Sequence, residues 1–334
     1  MNVNILQTID EYRQLGIPEQ IDYKKFYLYS IITHSTAIEG STVTEIENQL
    51  LFDEGITAPG RTLSEQMMNL DLKAAYEEAQ RLAVNHEAYD TDMLCRLSAI
   101  VMKNTGSEYN TPLGSFSAAN GDLRKVNVTA GYGGRSYLAF QKVPDAVADF
   151  CRWLNSERRR LNKEDVVAAY KLSFVAHYRL VSIHPWVDGN GRMSRLVMNM
   201  LQFEFGLIPV KVLKEQKSIY IQALNDTRDN GDENIFSNLM LQLHNQNLQS
   251  EISVYKTSVE GVNVGKNVAK ELNERQRVIL RLLVSDSTLT IPQMSGKTAA
   301  TERTIQRDLQ YLQQNGYVRR VGTRKFGRWE VIAK

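Results

Sequence analysis

Apolar positions recur every three to four residues through most of residues 1–256, a spacing that predicts a succession of amphipathic helices. The stretch "YKKFYLYSIITH", which begins at Tyr23, reads as one such helix, and Gly40 is its natural stop. Thr44 and Glu47 have the spacing of a capping box ahead of "IENQLLFDEG", which Gly55 closes. "SEQMMNLDLKAAYEEAQRLA" is another helical run, and "AVADFCRWLNSERRRL" a further one, with Asp145 after Pro144 as its cap. "KEDVVAAYKLSFVAHYRL" is apolar on most sides, the mark of a central buried helix. In the next helix Met193, Leu196, Val197, Met200 and Leu201 form the buried stripe, Arg192, Arg195 and Asn199 fall on another face, and Gly206 ends it.

The pattern breaks twice. Two short β-prone runs flank "AGYGG" and predict a hairpin at about Arg124–Phe140. From Thr257 to Lys270 the apolar period disappears, which reads as a linker. Beyond it, residues 271–334 read as helix, short helix, helix and hairpin. Thr301 is the N-cap of the third helix, Ile305, Leu309 and Leu312 are its apolar stripe, and Gly316 is its end.

Composition narrows the picture only where it is uneven. Of 334 residues, 43% are hydrophobic and 23% charged, ordinary for a globular chain, and the net charge of +2 carries no argument. Residues 266–334, however, hold 14 Lys/Arg against 6 Asp/Glu, a net of +8, which leaves −6 for the rest. Two isolated cysteines, Cys95 and Cys151, make neither a disulfide framework nor a zinc set and fit a reducing, cytoplasmic setting. The start of the chain lacks the layout of a secretory signal. No apolar run approaches the ~20 residues of a membrane span, so no membrane partner is expected.

The chemistry concentrates in "SIHPWVDGNGRMSRLVMNM". Pro185 disfavours the α conformation at His184, so the histidine is expected in extended chain just past the central helix. Gly189, Asn190 and Gly191 then stand at a helix N-terminus, where unpaired N–H groups and the helix dipole favour an anion, and two glycines allow close approach of a phosphate. Arg192 and Arg195 add fixed positive charge with planar donors. Asp188 is placed to hold a Mg²⁺ whose other ligands are phosphate oxygens and waters, and His184 has a side chain able to take a proton near neutral pH. Together these residues predict a polyphosphate cradle with a base at its rim.

The string His184-Pro185-Trp186-Val187-Asp188-Gly189-Asn190-Gly191-Arg192-Met193-Ser194-Arg195 resembles the signature of the Fic family, HPFx(D/E)GNGRxxR, with Trp186 in place of Phe, an exchange expected to alter packing only. Weaker likeness extends to "IEGSTVTEIENQLL", "GDLRKVNV" and "YIQALNDTRDNGD", about residues 20–245 in all. The resemblance implies a mainly α fold with a Fic-type helical core and a small β-hairpin flap. It divides the chain into an N-terminal helical region (1–110), a catalytic core (111–256), the linker (257–270) and a final domain (271–334). It implies transfer of AMP from Mg²⁺-ATP to a Tyr, Thr or Ser hydroxyl of a target protein. In that scheme His184 is the base, Asp188 the metal ligand, Gly189, Asn190, Gly191, Arg192 and Arg195 the phosphate site, and Tyr220 a wall for the base, while the flap pairs with extended target backbone.

The resemblance also addresses an oddity in "STAIEGS", residues 35–41. Glu39 lies in the last turn of its helix, where a carboxylate faces the negative end of the dipole. Ser35-Thr36-Ala37-Ile38-Glu39-Gly40 matches the family's inhibitory motif (S/T)xxxE(G/N), which implies that Glu39 reaches Arg195 and takes the space of the γ-phosphate. Two alternatives stand beside this reading, removal of AMP by the same site and a DNA-binding regulator that uses the core as a nucleotide sensor. The last domain resembles the winged helix-turn-helix (α+β) modules of bacterial regulators. That likeness implies DNA as a partner of residues 271–334, with the Thr301–Gln314 helix in a major groove and the Arg324–Arg328 wing on phosphates.

Overall fold

The computed structural model describes residues 5–130, 134–162, 164–264, 272, 274–298, 300–321 and 328–332. Two compact units divide the chain, Met1–Lys256 and Thr257–Lys334. In the first, α1 (Ile5–Gln14), α2 (Tyr23–Ile38), α3 (Glu45–Glu54), α4 (Leu63–Val84) and α5 (Thr91–Val101) lead to a two-residue antiparallel pair, β1 (Glu108–Tyr109) with β2 (Phe116–Ser117). Helices α6 (Val143–Arg160), α7 (Val166–Ile183), α8 (Asn190–Glu204), α9 (Lys217–Asn230) and α10 (Glu233–Val264) follow.

Local chemistry sets most boundaries as expected. The Thr44–Glu47 capping box is formed and Gly55 closes α3 at φ 69°; a second box, Thr62–Glu65, opens α4. Asp145 is not the cap of α6. That helix starts two residues earlier, after a single 3₁₀ turn, and Pro144 sits in its first turn, where no N–H is needed. Helix α10 continues to Val264, into the stretch read as a linker, because extending a helix needs no new nucleus even without an apolar stripe. Residues 265–271 lie outside those described.

The expected hairpin at 124–140 is reduced to one antiparallel bridge, Thr129 with Ser136, flanked by hydrogen bonds from Ala130 N–H to the Arg135 carbonyl and from Tyr137 N–H to the Val128 carbonyl (both 3.0 Å). A side chain replaces the next rung of the ladder, since Asn127 Oδ1 accepts the Phe140 N–H at 3.0 Å. Residues 131–133 of the expected turn are outside the described set. The β1–β2 pair, by contrast, was not foreseen; Tyr109 and Phe116 stack across it at 5.1 Å.

Helix α8 is the axis of the first unit. It packs on α7 and α4, with α5 and α2 beside it. Its apolar stripe is buried as expected, but so are Arg192, Arg195, Asn199 and Gln202 on its other sides. A helix buried all round must pair its polar groups internally. Asn199 accepts from the Tyr76 hydroxyl (2.7 Å) and donates to Gln202 and the Val210 carbonyl (both 2.9 Å). Among the described residues no helix is long and apolar enough to cross a membrane, and both cysteines are free.

The second unit comprises α11 (Glu274–Ser285), α12 (Ile291–Thr298), α13 (Glu302–Gln314) and an antiparallel pair, β3 (Val318–Val321) with β4 (Arg328–Val331). Ile279, Leu283, Met294, Ile305, Leu309, Leu312 and Trp329 form its core. The Thr301 side chain caps α13 by accepting the Thr304 N–H, and Gly316 turns the chain at φ 71°. Of the expected wing Arg324–Arg328, only Arg328 is described; residues 322–327 lie outside the set.

Candidate active site

Helix α7 delivers His184. Its backbone is left-handed (φ 55°, ψ 62°), not extended. Pro185 does exclude the right-handed helix, yet the His184 N–H still bonds the Leu180 carbonyl at 3.1 Å, and a left-handed residue is how a helix finishes with that bond intact. Such backbone costs about 1–3 kcal/mol at a non-glycine residue and persists only where its surroundings enforce it.

Arg124 does the enforcing. Its Nε donates to the His184 carbonyl at 2.7 Å, its backbone N–H donates to the Pro185 carbonyl at 3.0 Å, and its terminal nitrogens bond the carbonyls of Val126 (2.8 Å) and Leu138. Each of its three guanidinium nitrogens thus bonds a main-chain oxygen, tying the flap to the histidine. The imidazole Nδ1 faces the Val181 carbonyl at 3.3 Å, which favours the tautomer with the proton on Nδ1 and a free lone pair on Nε2. Burial pushes the His184 pKa down to about 4; the bond to Val181 opposes this and Arg124 adds to it. The ring is therefore neutral at pH 7 and can take a proton without first losing one.

The loop after it is built to hold its shape. Asp188 Oδ1 accepts the Gly189 N–H at 2.6 Å, and Gly189 stands at φ 80°, where an added methyl would also come within 2.7 Å of Met102 Sδ. Asn190 is buried and clamps the turn, accepting the Trp186 N–H (3.1 Å) and donating to the Trp186 carbonyl (2.8 Å). Its side chain therefore shapes the loop, where direct contact with phosphate had been expected. The Phe-to-Trp exchange is more than packing, because Trp186 Nε1 donates to the Gly121 carbonyl at 3.0 Å from a fully buried position.

Glu39 reaches this loop from α2. It caps that helix, with Gly40 following at φ 106°. Its Oε1 lies 2.5 Å from an Arg195 terminal nitrogen, and a methyl added at Gly191 would come within 2.4 Å of the same oxygen. The carboxylate thus sits on the first turn of α8. It is at the wrong end of its own helix and at the right end of the next one, where N–H groups and dipole favour an anion. Ser35 completes the grip: its hydroxyl accepts from Arg195 Nε at 2.8 Å and its carbonyl from a terminal nitrogen at 3.0 Å. Helix α2 is anchored here by a buried polar network. Thr36 donates to Asn69 Oδ1 (2.8 Å), Asn48 donates to Thr33 and to the same Asn69 oxygen, and Asn69 donates to Ser41.

Burial alone would raise the Glu39 pKa; Arg195, with help from Arg192 and Lys217, overrides it and the net shift is downward. The sign follows from linkage. A carboxyl lowered by folding contributes above its unfolded pKa and loses that contribution only as pH falls through the lower, folded value. The Glu39–Arg195 pair should therefore be intact at every pH from 6 to 8, and the activity ratio of wild type to a Glu39 variant should be flat across that range. In the same variant the acid limb of kcat/KM should fall near pH 4, well below the ordinary histidine range, measured as label transfer against pH.

The other predicted residues are placed less simply. Arg192 is buried, pointing at the Val101 carbonyl (3.4 Å) and Met102 sulfur (3.1 Å), with Asp188 3.7 Å away. Tyr220 is 1% exposed, its hydroxyl bonded to His177 Nε2 at 2.7 Å, and it raises the Arg195 pKa. It is packed against His177 and beside Arg195, where its hydroxyl is engaged and its ring is buried. His177, read as a core residue, is one. Among the described residues no group of three or more His, Cys, Asp or Glu could hold a metal. Sequence reasoning missed Arg124, which stands in the quoted "GDLRKVNV", and Tyr137, whose ring stacks on His184 at 3.8 Å and 15°. Neither had a local signal: Arg124 stands beside Lys125 at the edge of a β-prone run, where both read as solvated charges.

The chain is similar to known proteins in sequence and in fold. Residues 88–202, from the turn before α5 into the last turn of α8, match the model of the Fic/DOC family. The chain is 28% identical over 240 residues to a protein adenylyltransferase Fic of Drosophila grimshawi, covering 66% of this chain and 45% of that one. It is 26% identical over 244 residues to the protein adenylyltransferase fic-1 of Caenorhabditis briggsae, covering 72% and 44%. It therefore spans less than half the length of these curated relatives. A Fic domain containing signaling protein from Bacteroides thetaiotaomicron superposes with a TM-score of 0.63 at 21% identity, over 76% of this chain and 98% of that one. A Fic family protein from Desulfovibrio desulfuricans gives 0.58 at 16% identity, over 100% and 97%. With a family model matching residues 88–202, relatives of that name and a shared fold, this part of the chain is similar to Fic proteins, and the matched residues include the loop from His184 to Arg195.

Proposed function

We propose that this site transfers AMP from ATP to a Tyr, Thr or Ser hydroxyl of a protein, and that Glu39 holds the reaction down. The observation that carries the reading is the Glu39 carboxylate seated on the first turn of α8 against Arg195, beside a neutral imidazole. A seat that accepts a carboxylate there accepts a phosphate, and the two compete. With Glu39 withdrawn, the triphosphate tail takes the helix N-terminus and Arg195. His184 Nε2 accepts the proton of the target hydroxyl, whose oxygen forms the new bond to the α-phosphorus as the bond to pyrophosphate breaks. Most of the rate comes from positioning and from charge placed in advance.

Asp188 suits a Mg²⁺ held mainly by substrate oxygens and water: it is a lone carboxylate, 62% exposed, and such sites need only one or two protein carboxylates. When bound, the ion would neutralise phosphate charge. The test is intact-mass spectrometry of the full chain after incubation with Mg-ATP. The expected result is addition of one or more AMP groups to the Glu39→Gly protein and little or none to wild type; no addition to either, with or without added protein substrates, argues against transfer.

The second unit favours DNA as a further partner of residues 271–334. Arg303, Gln306, Arg307 and Gln310 are exposed on α13, and residues 271–334 hold 12 Lys/Arg against 6 Asp/Glu, a net of +6. Filter binding to duplex DNA should weaken at least roughly tenfold between about 50 and 200 mM salt, the mark of phosphate contacts. A flat salt response would point to a protein-docking module instead.

A further inference from the structure

Nothing in the signature loop requires an aromatic ring on the flap, yet Tyr137 lies face to face with His184, ring centroids 3.8 Å apart and planes 15° from parallel. Resting on the catalytic reading above, we propose that Tyr137 is a positioning residue, whose ring fixes the plane of the His184 imidazole so that Nε2 meets the incoming hydroxyl edge-on. The imidazole needs such a support. Its one polar tether, Nδ1 to the Val181 carbonyl, is long at 3.3 Å and leaves the ring torsion soft. The backbone of His184 is locked by Arg124, but that lock acts on the carbonyl and cannot orient the ring.

Tyr137 is itself held on both sides. Its N–H bonds the Val128 carbonyl at 3.0 Å, beside the Thr129–Ser136 bridge, and the carbonyl of the next residue, Leu138, accepts from the Arg124 guanidinium. The phenol ring is therefore carried on a tethered stretch of backbone and lies flat on the imidazole. By covering one face of the imidazole it excludes water from that side and limits a substrate hydroxyl to the ring edge or the opposite face. The charged groups that also act on this imidazole are Arg124, Asp188 and Glu39.

The test uses the full chain in the Glu39→Gly background. Tyr137→Phe keeps the ring and should keep kcat. Tyr137→Leu and Tyr137→Ala remove it and should lower kcat by about 10- to 100-fold, the scale of a misoriented group, while the KM for ATP stays unchanged. An NMR titration of His184 in the same proteins reads the ring environment without turnover. The His184 pKa should rise toward the ordinary histidine value in Tyr137→Ala and stay low in Tyr137→Phe. Full kcat in Tyr137→Ala, equal losses in the Phe and Ala variants, or a titration unmoved by loss of the ring would each overturn the proposal. If no variant transfers AMP, the catalytic reading fails, and the titration still decides whether Tyr137 sets the imidazole.

Discussion

Replacing Glu39 by glycine is expected to raise AMP transfer by roughly 5- to 150-fold, the range of a coupling worth about 1–3 kcal/mol between two ligands of one seat. The carboxylate is the internal ligand, held by Arg195 at 2.5 Å and by the first turn of α8. The change should be local. Glu39 is a cap residue in right-handed backbone, where glycine is permitted, and Arg195 keeps its two bonds to Ser35. Without nucleotide the variant should melt below wild type, because a buried guanidinium has lost its counter-charge, and Mg-ATP should restore much of the difference. Glu39→Gln, which keeps the shape and removes the charge, should fall between wild type and glycine. Transfer of labelled AMP, measured at one enzyme and ATP concentration, checks all three, and equal incorporation by wild type and Glu39→Gly would remove the case for inhibition.

His184→Ala, made in the Glu39→Gly protein, should cut transfer by about 10²- to 10⁴-fold, the usual contribution of a positioned general base. Nucleotide affinity should change little, since the proposed phosphate seat is made by α8 and Arg195. The fold should survive as well. The Arg124 bond that enforces the left-handed turn is made to the His184 carbonyl, which alanine retains. Alanine in that conformation costs about 1–2 kcal/mol, a fraction of a domain's stability. Isothermal titration with a non-hydrolysable ATP analogue, beside the transfer assay, separates the two effects. Loss of binding together with activity would mean that His184 is structural.

How much of this was legible in the sequence depended on range. Short-range chemistry was readable: the Thr44–Glu47 box, the stripe of α8, Gly40 and Gly206 as stops, and the nest after Asp188. Long-range pairing was not. Ser35 and Arg195 are 160 residues apart, and Arg124 is 60 from the carbonyl it holds. No periodicity reveals that a polar face will be buried against such partners; the burial of Arg192 was not legible, and the pairing of Arg195 with Glu39 was legible only through the inhibitory motif. Asn190 shows a related limit of local pattern, since an amide at such a turn can serve loop or ligand, and its bonds to Trp186 appear only in the fold. At the flap, one side-chain bond from Asn127 and one antiparallel bridge replaced the ladder that alternation predicted. The puzzle of a carboxylate at a helix C-terminus was visible in residues 35–41, and its partner Arg195 was named only through the family resemblance, since no local pattern points to a second helix.

The central claim is that Glu39 and the nucleotide tail compete for the N-terminus of α8. A crystal structure of the Glu39→Gly protein with Mg²⁺ and a non-hydrolysable ATP analogue tests it directly. The account predicts the terminal phosphate within hydrogen-bond distance of Arg195, at the place the Glu39 carboxylate fills in wild type, with the α-phosphorus facing His184 Nε2. A triphosphate bound elsewhere, with that seat left to solvent and the imidazole far from phosphorus, would contradict it.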